Sequence, residues 1–255
     1  MDFFKRELDA VAIIPARLSS TRFPKKLIQD LNGLPVLIHT AKNALESEFL
    51  QRVVVATEDQ EIVDLCASYN IEAILTPNHF QSGTDRVIWA YRRLEQDYDL
   101  VYNIQADEPL IKGSEIDKLH KSFTNSLAQV GTLIKRIDKV EEVFNPNIVK
   151  VVLETDNTAL YFSRSPIPYQ RNAEEKDWLK KQIYWKHVGI YCYKVESLET
   201  FVTTQPTDLE LSESLEQLRL LQNNHKYFCC ETDKEFVGID IPEDLEKAKK
   251  ILSGE

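Results

Sequence analysis

The chain has 255 residues, of which 43% are hydrophobic and 28% are charged, and its formal net charge is -10. This acidic balance argues against a protein that binds duplex DNA, because such proteins need a basic face to displace counterions. No apolar run approaches the length of about 18 residues needed to cross a bilayer, and residues 1–10 lack the apolar core of a signal peptide, so we expect a cytoplasmic protein with no membrane partner.

The first half of the chain alternates strand-like and helix-like runs. Short segments rich in Val, Ile and Leu predict strands, and longer segments with apolar residues at helical spacing predict helices. This alternation is typical of βαβ units on a parallel sheet with helices on both faces. The predicted strands are 11–14, 52–57, 71–75 and 100–104, and the predicted helices are 35–48, 59–69 and 83–96.

The second half is less regular. It closes with a predicted helix, 242–252, whose Pro242 near the start and Gly254 beyond the end agree with capping preferences. A middle piece rich in Asn, Pro and aromatic residues, from about 144 to 186, predicts a protruding lobe within roughly residues 144–205. Without repeats or long linkers, we expect a single domain over residues 1–255. The predicted strands here are 130–135, 148–154, 159–162, 188–193 and 226–231.

The segment 12–27, AIIPARLSSTRFPKKL, is a positive island on this acidic chain. It carries two arginines and two lysines directly after a predicted buried strand and contains no acidic residue. Local fields of this kind attract phosphate or carboxylate groups. A Walker P-loop is excluded because no glycine precedes Gly33, so side chains must hold the anion, with Arg17 and Lys26 as a candidate triphosphate clamp. The alternative is a solvated basic loop, which the position after a buried strand disfavours.

Polar residues also follow the other predicted strands of the first half. In an open parallel sheet, ligands bind beyond the carboxyl ends of the strands, so we expect these side chains to converge on one rim. The candidates are Arg17, Ser19, Ser20, Thr21, Arg22, Lys25 and Lys26 after the first strand; Thr57, Glu58 and Asp59 after the second; Gln81, Ser82, Gly83, Thr84, Asp85 and Arg86 after the third; and Gln105, Asp107 and Glu108 after the fourth.

Two carboxylates are candidates for a magnesium site. Asp107 lies at the end of the fourth strand in NIQADEP, and Asp240 precedes the last helix in GIDIPEDL. A strand-end carboxylate can hold Mg²⁺ against substrate phosphates. The alternatives are an ordinary turn at Asp107 and a helix cap at Asp240. The segment QSGTDR also has two interpretations: its hydroxyl groups could bind an anion or a base, or it could simply be the capped start of a helix.

The second half contains polar groups within apolar runs. Such groups could line a pocket for a polyhydroxylated acid, or could simply pack in the core or an interface. The histidine among them has no partner at metal-ligand spacing, and the four cysteines show no CxxC spacing, so zinc is not expected. The candidates are Arg164, His187, Tyr191, Glu216 and Gln217.

From about residue 11 to 245 the chain closely resembles the 3-deoxy-manno-octulosonate cytidylyltransferases, or CMP-KDO synthetases. The elements that carry the resemblance are IIPAR-x-x-STR-x-P-x-K, QSGT-D/E-R, Q-x-DEP, FNPN-x-VKVV, LYFSR, GIY, LEQLR and D-x-PEDL. The resemblance implies a three-layer, Rossmann-like α/β nucleotide-diphosphosugar transferase fold with a mainly parallel mixed sheet. It also implies a reaction of CTP with an anionic eight-carbon sugar acid, KDO, that gives CMP-KDO and pyrophosphate for lipopolysaccharide synthesis.

Carried onto this chain, the family pattern assigns roles to the candidates. Arg17 and Lys26 resemble the triphosphate clamp, and Asp107 and Asp240 resemble the ligands of Mg²⁺, which could serve in place of a protein base. The resemblance further implies a homodimer that associates through the lobe. Cytosine and ribose would be bound by Ala16, Thr57, Ser82, Arg86 and Gln105, and the sugar acid by Arg164, His187, Tyr191, Glu216 and Gln217, with its carboxylate against Arg164.

The chain departs from the family pattern at four positions. Lys25 and Ala106 stand where the family has glycine, Glu58 stands for aspartate, and Phe80 interrupts the DHQSG pattern. We expect Lys25 to remove an easy positive φ and Ala106 to restrict the backbone beside Asp107. Three alternatives stay open: an 8-amino KDO analogue, another ulosonic acid such as a sialic acid, or a nucleotide-binding protein without catalysis. The FSR, GIY and LEQLR elements argue against sialic acid.

Overall fold

A computed structural model of the chain describes residues 8–20, 22–80 and 82–254; Thr21 and Gln81, named among the candidates, lie outside the described residues. The strands are β1 (Ala10–Ala16), β2 (Asp30–Leu31), β3 (Leu34–Pro35), β4 (Leu50–Thr57), β5 (Glu72–Leu75), β6 (Leu100–Ile104), β7 (Val130–Arg136), β8 (Lys150–Leu153), β9 (Ala159–Ser163), β10 (Trp185–Lys194) and β11 (Tyr227–Thr232). The helices are α1 (Val36–Leu45), α2 (Gln60–Ser68), α3 (Gly83–Tyr91), α4 (Gly113–Phe123), α5 (Val140–Phe144), α6 (Trp178–Lys181), α7 (Val195–Thr203), α8 (Asp208–Glu213), α9 (Gln217–Gln222) and α10 (Pro242–Ser253). One-turn 3-10 helices lie at Lys26–Ile28 and Glu175–Asp177.

The centre of the molecule is a nine-stranded sheet with the order β11-β7-β10-β6-β1-β4-β5, to which β8 and β9 are joined beside β10. Strands β6, β1, β4 and β5 are parallel, and β11 is parallel to β7. Strand β10 runs antiparallel to β6, β7 and β8. The predicted mainly parallel mixed sheet is therefore confirmed.

Alternate residues of β1 enter two separate hydrophobic clusters, one on each face of the sheet. Ala12 and Ile14 pack in the cluster that includes α1, α4 and α10. Val11 and Ile13 pack in the cluster that includes α3, α7 and α9. Because a strand buried on both faces needs apolar side chains throughout, the sequence AVAIIPA reads as a continuous hydrophobic run. The helices cover both faces and produce the three layers predicted from the sequence.

The sheet opens between β1 and β6, where the strand order reverses. Strand β1 pairs with β6 only as far as Ile13 and Asn103, whereas its pairing with β4 continues to Ala16. Pro15 lies in the part of β1 that does not pair with β6, and it has no backbone N–H to donate. A cleft at the carboxyl ends of the strands follows from this separation.

Several elements differ from the sequence-based prediction. Helix α3 ends at Tyr91 and not at residue 96, and the six helices α4 to α9 were not predicted. Residues 185–194 form the central strand β10, so this part of the predicted 144–205 lobe belongs to the main sheet. Of the helices that the structure describes, none is both long enough and apolar enough to span a membrane.

Candidate active site

Two adjoining cavities lie at the carboxyl ends of the strands. The β1 cavity has a volume of about 710 Å³ and lies between the loop after β1 and the start of α3. The β10 cavity, of about 610 Å³, lies between β10, the loop before β8 and the start of α9. The residues that line both are Arg22, Gln105, Asp107, Glu216 and Asp240.

Lys26 joins two carboxylates at the boundary between the cavities. Its Nζ lies 2.5 Å from Asp107 Oδ2 and 3.0 Å from Asp240 Oδ1. Burial disfavours the charged form of Lys26, but Asp107 and Asp240 outweigh burial and raise the pKa of Lys26 above its ordinary value. A backbone hydrogen bond of 2.9 Å from Ile239 N to Asp107 O holds the two acidic segments together.

Asp240 does not cap the last helix. The capping residue of α10 is Ile241, and Asp244 Oδ2 accepts hydrogen bonds from the backbone N–H groups of Asp240 and Ile241, both at 3.1 Å. The carboxylate of Asp240 is therefore available to the cavities. The helix-cap alternative for Asp240 is wrong, because Asp244 takes that role from within the first turn.

Arg22 is a further cation of this boundary. Its guanidinium lies 3.0 Å from Asp240 Oδ1, and it lines both cavities. Arg22 is one of the basic residues predicted to follow β1, although the predicted clamp contained only Arg17 and Lys26. Arg17 is exposed and lines the β1 cavity. The signal that could have identified Arg22 is its place in the same STR element.

The donor set of Asp107 and Asp240 fits a hard divalent metal. No cluster of three or more His, Cys, Asp or Glu side chains within residues 8–20, 22–80 and 82–254 could hold a metal by itself. Mg²⁺, however, is commonly bound by one or two carboxylates together with substrate phosphates. The Lys26 ammonium already binds both carboxylates, which demonstrates that one cation can be shared between them.

Glu108 contributes a buried carboxyl group behind this boundary. Burial, followed by the charges of Asp107 and Asp240, raises the pKa of Glu108 to about 8. Its Oε2 is buried and has no hydrogen-bond partner among the described residues. A Cβ at Gly189 would lie only 3.2 Å from Glu108 Oε1, and one at Gly238 only 3.0 Å from it. The absence of a Cβ at both glycines therefore leaves room for the Glu108 side chain.

Arg86, like Lys26, lines the β1 cavity. It is 4% exposed, and its guanidinium donates short hydrogen bonds to Thr76 Oγ1 and Glu58 Oε2. The ring of Phe80 lies 5.6 Å from the guanidinium carbon. Two positions at which the chain departs from the family pattern, Glu58 and Phe80, therefore contact the same arginine.

Ser82 caps helix α3 and also lines the β1 cavity. Its Oγ accepts from the backbone N–H of Asp85 at 3.0 Å, and the residue faces the cavity together with Ala16 and Gln105. Ser82 therefore caps the helix, as one interpretation of QSGTDR predicted, while the anion or base site stays a prediction. Thr57, in contrast, is fully buried, accepts from Asp59 N and does not belong to the lining of either cavity.

Lys25 has a positive φ although it is not glycine. It adopts the left-handed conformation, with φ 55°, which is unfavourable for a residue with a Cβ and so is not the easy positive φ of a glycine. Its ammonium lies 2.9 Å from Glu61 Oε2 on α2, and it lines neither cavity. Ala106 is buried, lines the β1 cavity and does not adopt positive φ.

The β10 cavity brings together the five candidates from the second half of the chain. Burial lowers the pKa of His187 to about 3, so its ring is neutral at physiological pH; its Nε2 lies 3.0 Å from Thr132 Oγ1. Burial also raises the pKa of Glu216, which accepts from Thr84 Oγ1 at 2.7 Å. The predicted residues in its lining are Arg164, His187, Tyr191, Glu216 and Gln217.

Comparisons with known proteins agree with the motifs. A family model described as Cytidylyltransferase matches residues 11–251. The 3-deoxy-manno-octulosonate cytidylyltransferase of Thermodesulfovibrio yellowstonii is 45% identical over 249 residues, which cover 95% of this chain and 98% of that protein. The protein of the same name from Chloroherpeton thalassium is 42% identical over 249 residues, with 96% and 98% covered.

The structure also matches a solved relative. CMP:2-keto-3-deoxy-manno-octonic acid synthetase complexed with CTP superposes with a TM-score of 0.88 at 36% identity, covering 96% of this chain and 99% of that one. The likeness covers nearly the whole chain, so the predicted resemblance is confirmed. The chain belongs to the 3-deoxy-manno-octulosonate cytidylyltransferase family.

Proposed function

We propose that this protein activates 3-deoxy-manno-octulosonate with CTP, giving CMP-KDO and pyrophosphate, a step that feeds lipopolysaccharide synthesis. The observation that carries the proposal is the meeting of two cavities along Asp107 and Asp240. One cavity is lined by cations suited to a triphosphate, and the other by polar groups suited to a sugar acid. The names of the relatives, which are 45% and 42% identical, support the same substrate pair.

The β1 cavity is proposed to bind CTP. Arg17 and Lys26 are proposed as the clamp for the triphosphate, with Arg22 as an additional cation beside them. Guanidinium and ammonium groups stabilise the negative charge that develops on the departing pyrophosphate. The proposed contacts with cytosine and ribose are Ala16, Ser82, Arg86 and Gln105, which line this cavity, and Thr57, which does not.

The β10 cavity is proposed to bind the sugar acid. Arg164 is the proposed partner of the carboxylate, because the residue lines this cavity and a guanidinium can form paired hydrogen bonds with an anion. His187 is neutral and can exchange hydrogen bonds with hydroxyl groups. Tyr191, Glu216 and Gln217 complete the proposed set of hydroxyl partners.

The proposed reaction replaces one phosphorus–oxygen bond by another and releases a proton. The anomeric hydroxyl oxygen of the sugar attacks the α-phosphorus, the α–β phosphoanhydride bond breaks, and pyrophosphate leaves while the hydroxyl proton passes to solvent. Because both substrates are anions, the protein must hold them together against their repulsion. The adjoining cavities provide this positioning, and the cations of the β1 loop balance the phosphate charge.

Asp107 and Asp240 are the proposed holders of a divalent metal, and Mg²⁺ is the proposed ion. When bound there, Mg²⁺ lowers the pKa of a bound hydroxyl and withdraws charge from phosphate oxygens. Removal of divalent ions with EDTA is expected to abolish turnover, and added Mg²⁺ is expected to restore it. Full activity after exhaustive chelation would contradict the metal assignment.

A substrate panel with pyrophosphate detection tests the proposed activity. CTP, UTP, ATP and GTP are each combined with KDO, its 8-amino analogue and a sialic acid in the presence of Mg²⁺. Turnover is expected with CTP and KDO. Preference for the 8-amino analogue or a sialic acid would contradict KDO as the substrate and identify the preferred acid in its place. Binding of CTP without turnover of any acid would identify a non-catalytic homologue.

A homodimer and a cytoplasmic location complete the proposal. Leu160, Tyr169 and Ile183 expose 53%, 74% and 45% of their surface within the segment predicted to mediate association, and large exposed apolar side chains mark interaction surfaces. Light scattering is expected to give twice the mass of one chain. Fractionation of cells is expected to recover the protein with the cytoplasm.

A further inference from the structure

Lys150 is a fully buried lysine behind the wall of the β10 cavity. It is 0% exposed and belongs to the element FNPNIVKVV at residues 144–152. The cavity lining includes the loop before it and Arg164 but not Lys150 itself. Burying an ammonium group is costly unless all of its donors are satisfied.

The three donors of Lys150 bind three backbone carbonyls. Nζ donates to Asn145 O at 2.8 Å, to Ile148 O at 2.6 Å and to Arg164 O at 2.6 Å. Two of these carbonyls belong to the loop before β8, and the third belongs to the residue after β9. One ammonium group therefore ties together two separate pieces of the cavity wall.

Arg164 is held by the same network. Its Nε donates to Glu213 O at 2.8 Å, and its Nη1 donates to Pro146 O at 3.0 Å. Its backbone N–H donates to the Glu213 carboxylate at 2.9 Å. The Nη2 of Arg164 also donates to Ser214 O at 3.3 Å. The orientation of the guanidinium thus depends on residues 213–214 and on the loop 145–148, two of whose carbonyls Lys150 binds.

The positive charges of Lys150 and Arg164 lie close together in this arrangement. Burial and then the positive charge of Arg164 lower the pKa of Lys150 to about 8, and Glu213 opposes this effect only in part. Two neighbouring cations, one in the cavity wall and one behind it, favour an anionic ligand, because its negative charge relieves their repulsion.

We propose that Lys150 is a positioning residue for the sugar acid, holding Arg164 and the loop 145–148 in the geometry that binds the ligand's carboxylate. This inference rests on the proposed function, because it assigns the sugar acid to the β10 cavity. Lys150 acts through Arg164 and the loop, since it does not itself line the cavity. The effect of its loss falls on the sugar acid and not on CTP.

Steady-state kinetics of the full chain with Lys150→Met tests the proposal. Methionine has a similar length but no donors, so the KM for KDO is expected to rise at least tenfold while the KM for CTP stays within twofold. Lys135→Met is the matched control. Lys135 is another buried lysine, bonded to Asp233 O and Glu235, and it lines neither cavity; both KM values are expected to stay within twofold.

The outcomes are distinguishable. An unchanged KM for KDO, or equal rises in the KM for both substrates, would overturn the positioning role of Lys150. If Lys150→Met does not fold, as judged by circular dichroism, Lys150→Gln is measured under the same criterion, since its amide keeps two donors. Absence of turnover in the unmodified protein would instead refute the proposed function itself.

Discussion

Asp107 and Asp240 share one ammonium group, that of Lys26, although they come from distant parts of the chain. The backbone contributes to this arrangement, because Ile239 N donates to Asp107 O at 2.9 Å. Asp244 fixes the Asp240 backbone from within α10. The carboxylates are therefore held at the boundary of the two cavities by the fold as well as by their attraction to a cation.

Removal of either carboxylate is expected to stop catalysis without unfolding the protein. Asp107→Ala and Asp240→Ala each take away one of two groups proposed to hold a metal, so kcat is expected to fall at least ~100-fold. Pyrophosphate release measures turnover, and circular dichroism checks the fold. Near-normal kcat in Asp107→Ala would refute the metal assignment; Glu61→Gln, on an exposed surface pair, is the control.

The neighbouring lysines Lys25 and Lys26 are expected to differ sharply in function. Lys26→Gln removes the cation that lies between Asp107 and Asp240, so kcat/KM for CTP is expected to fall ~100-fold or more. Lys25→Gln removes only an exposed pair with Glu61, and kcat/KM is expected to stay within twofold. Steady-state kinetics of the two variants measures kcat/KM side by side. Equal losses of kcat/KM in both would contradict the different roles of the two lysines.

Lys25→Gly is expected to stabilise the protein. Lys25 adopts φ 55°, a left-handed conformation that costs a residue with a Cβ about 1 kcal/mol relative to glycine. The free energy of unfolding in urea is therefore expected to rise by about 1 kcal/mol, with unchanged activity. Lys25→Ala keeps the Cβ and serves as the comparison; if it stabilises the protein equally, the backbone explanation fails.

Glu58 is expected to support both stability and CTP binding through Arg86. Glu58→Gln leaves a buried guanidinium without its carboxylate, which is expected to cost ~3 kcal/mol of unfolding free energy and to raise the KM for CTP. Glu58→Asp keeps the charge on a shorter side chain and is expected to lose less. Urea unfolding and CTP titration measure the two effects, with Glu61→Gln, from an exposed pair, expected to cost under about 1 kcal/mol.

His187 is expected to make the protein sensitive to acid. Its pKa is about 3 in the folded protein against 6.5 as the ordinary value, so the unfolded chain binds the proton first. The folded protein with its neutral His187 ring therefore has its full stability above pH 6.5, and the free energy of unfolding decreases as the pH falls from 6.5 towards 3.

His187→Gln removes this linkage. Between neutral pH and pH 4.5 the unfolding free energy of the unmodified protein is expected to fall by ~2–3 kcal/mol more than that of the variant. Urea unfolding at the two pH values measures the difference. His225→Gln, at a partly buried histidine outside both cavities, controls for the loss of a histidine; parallel pH profiles for all three proteins would contradict the prediction.

The sequence predicted the parallel half of the sheet well because its strands are short apolar runs between helices of clear periodicity. Strands β1, β4, β5 and β6 all lie where expected, within a few residues. The six helices α4 to α9 were missed. Helix α4, GSEIDKLHKSF, has few apolar residues, but Ile116, Leu119 and Phe123 recur at i, i+3 and i+7 and are all buried. The helical spacing was therefore present in the sequence, carried by only three apolar residues among polar ones.

By itself, the sequence determined which kinds of side chain follow the strands: cations after β1, hydroxyls before α3 and carboxylates after β6 and before α10. These assignments are local, because each depends only on a strand and the residues that follow it. The tertiary structure alone decided which of these groups meet. It separated Lys26 from Lys25, brought Arg22 to Asp240, released Asp240 from helix capping and excluded Thr57 from both cavities. The physical reason is that an ion pair or a cavity wall is a contact between segments far apart in the chain, and its partners are selected by the packing of the whole sheet.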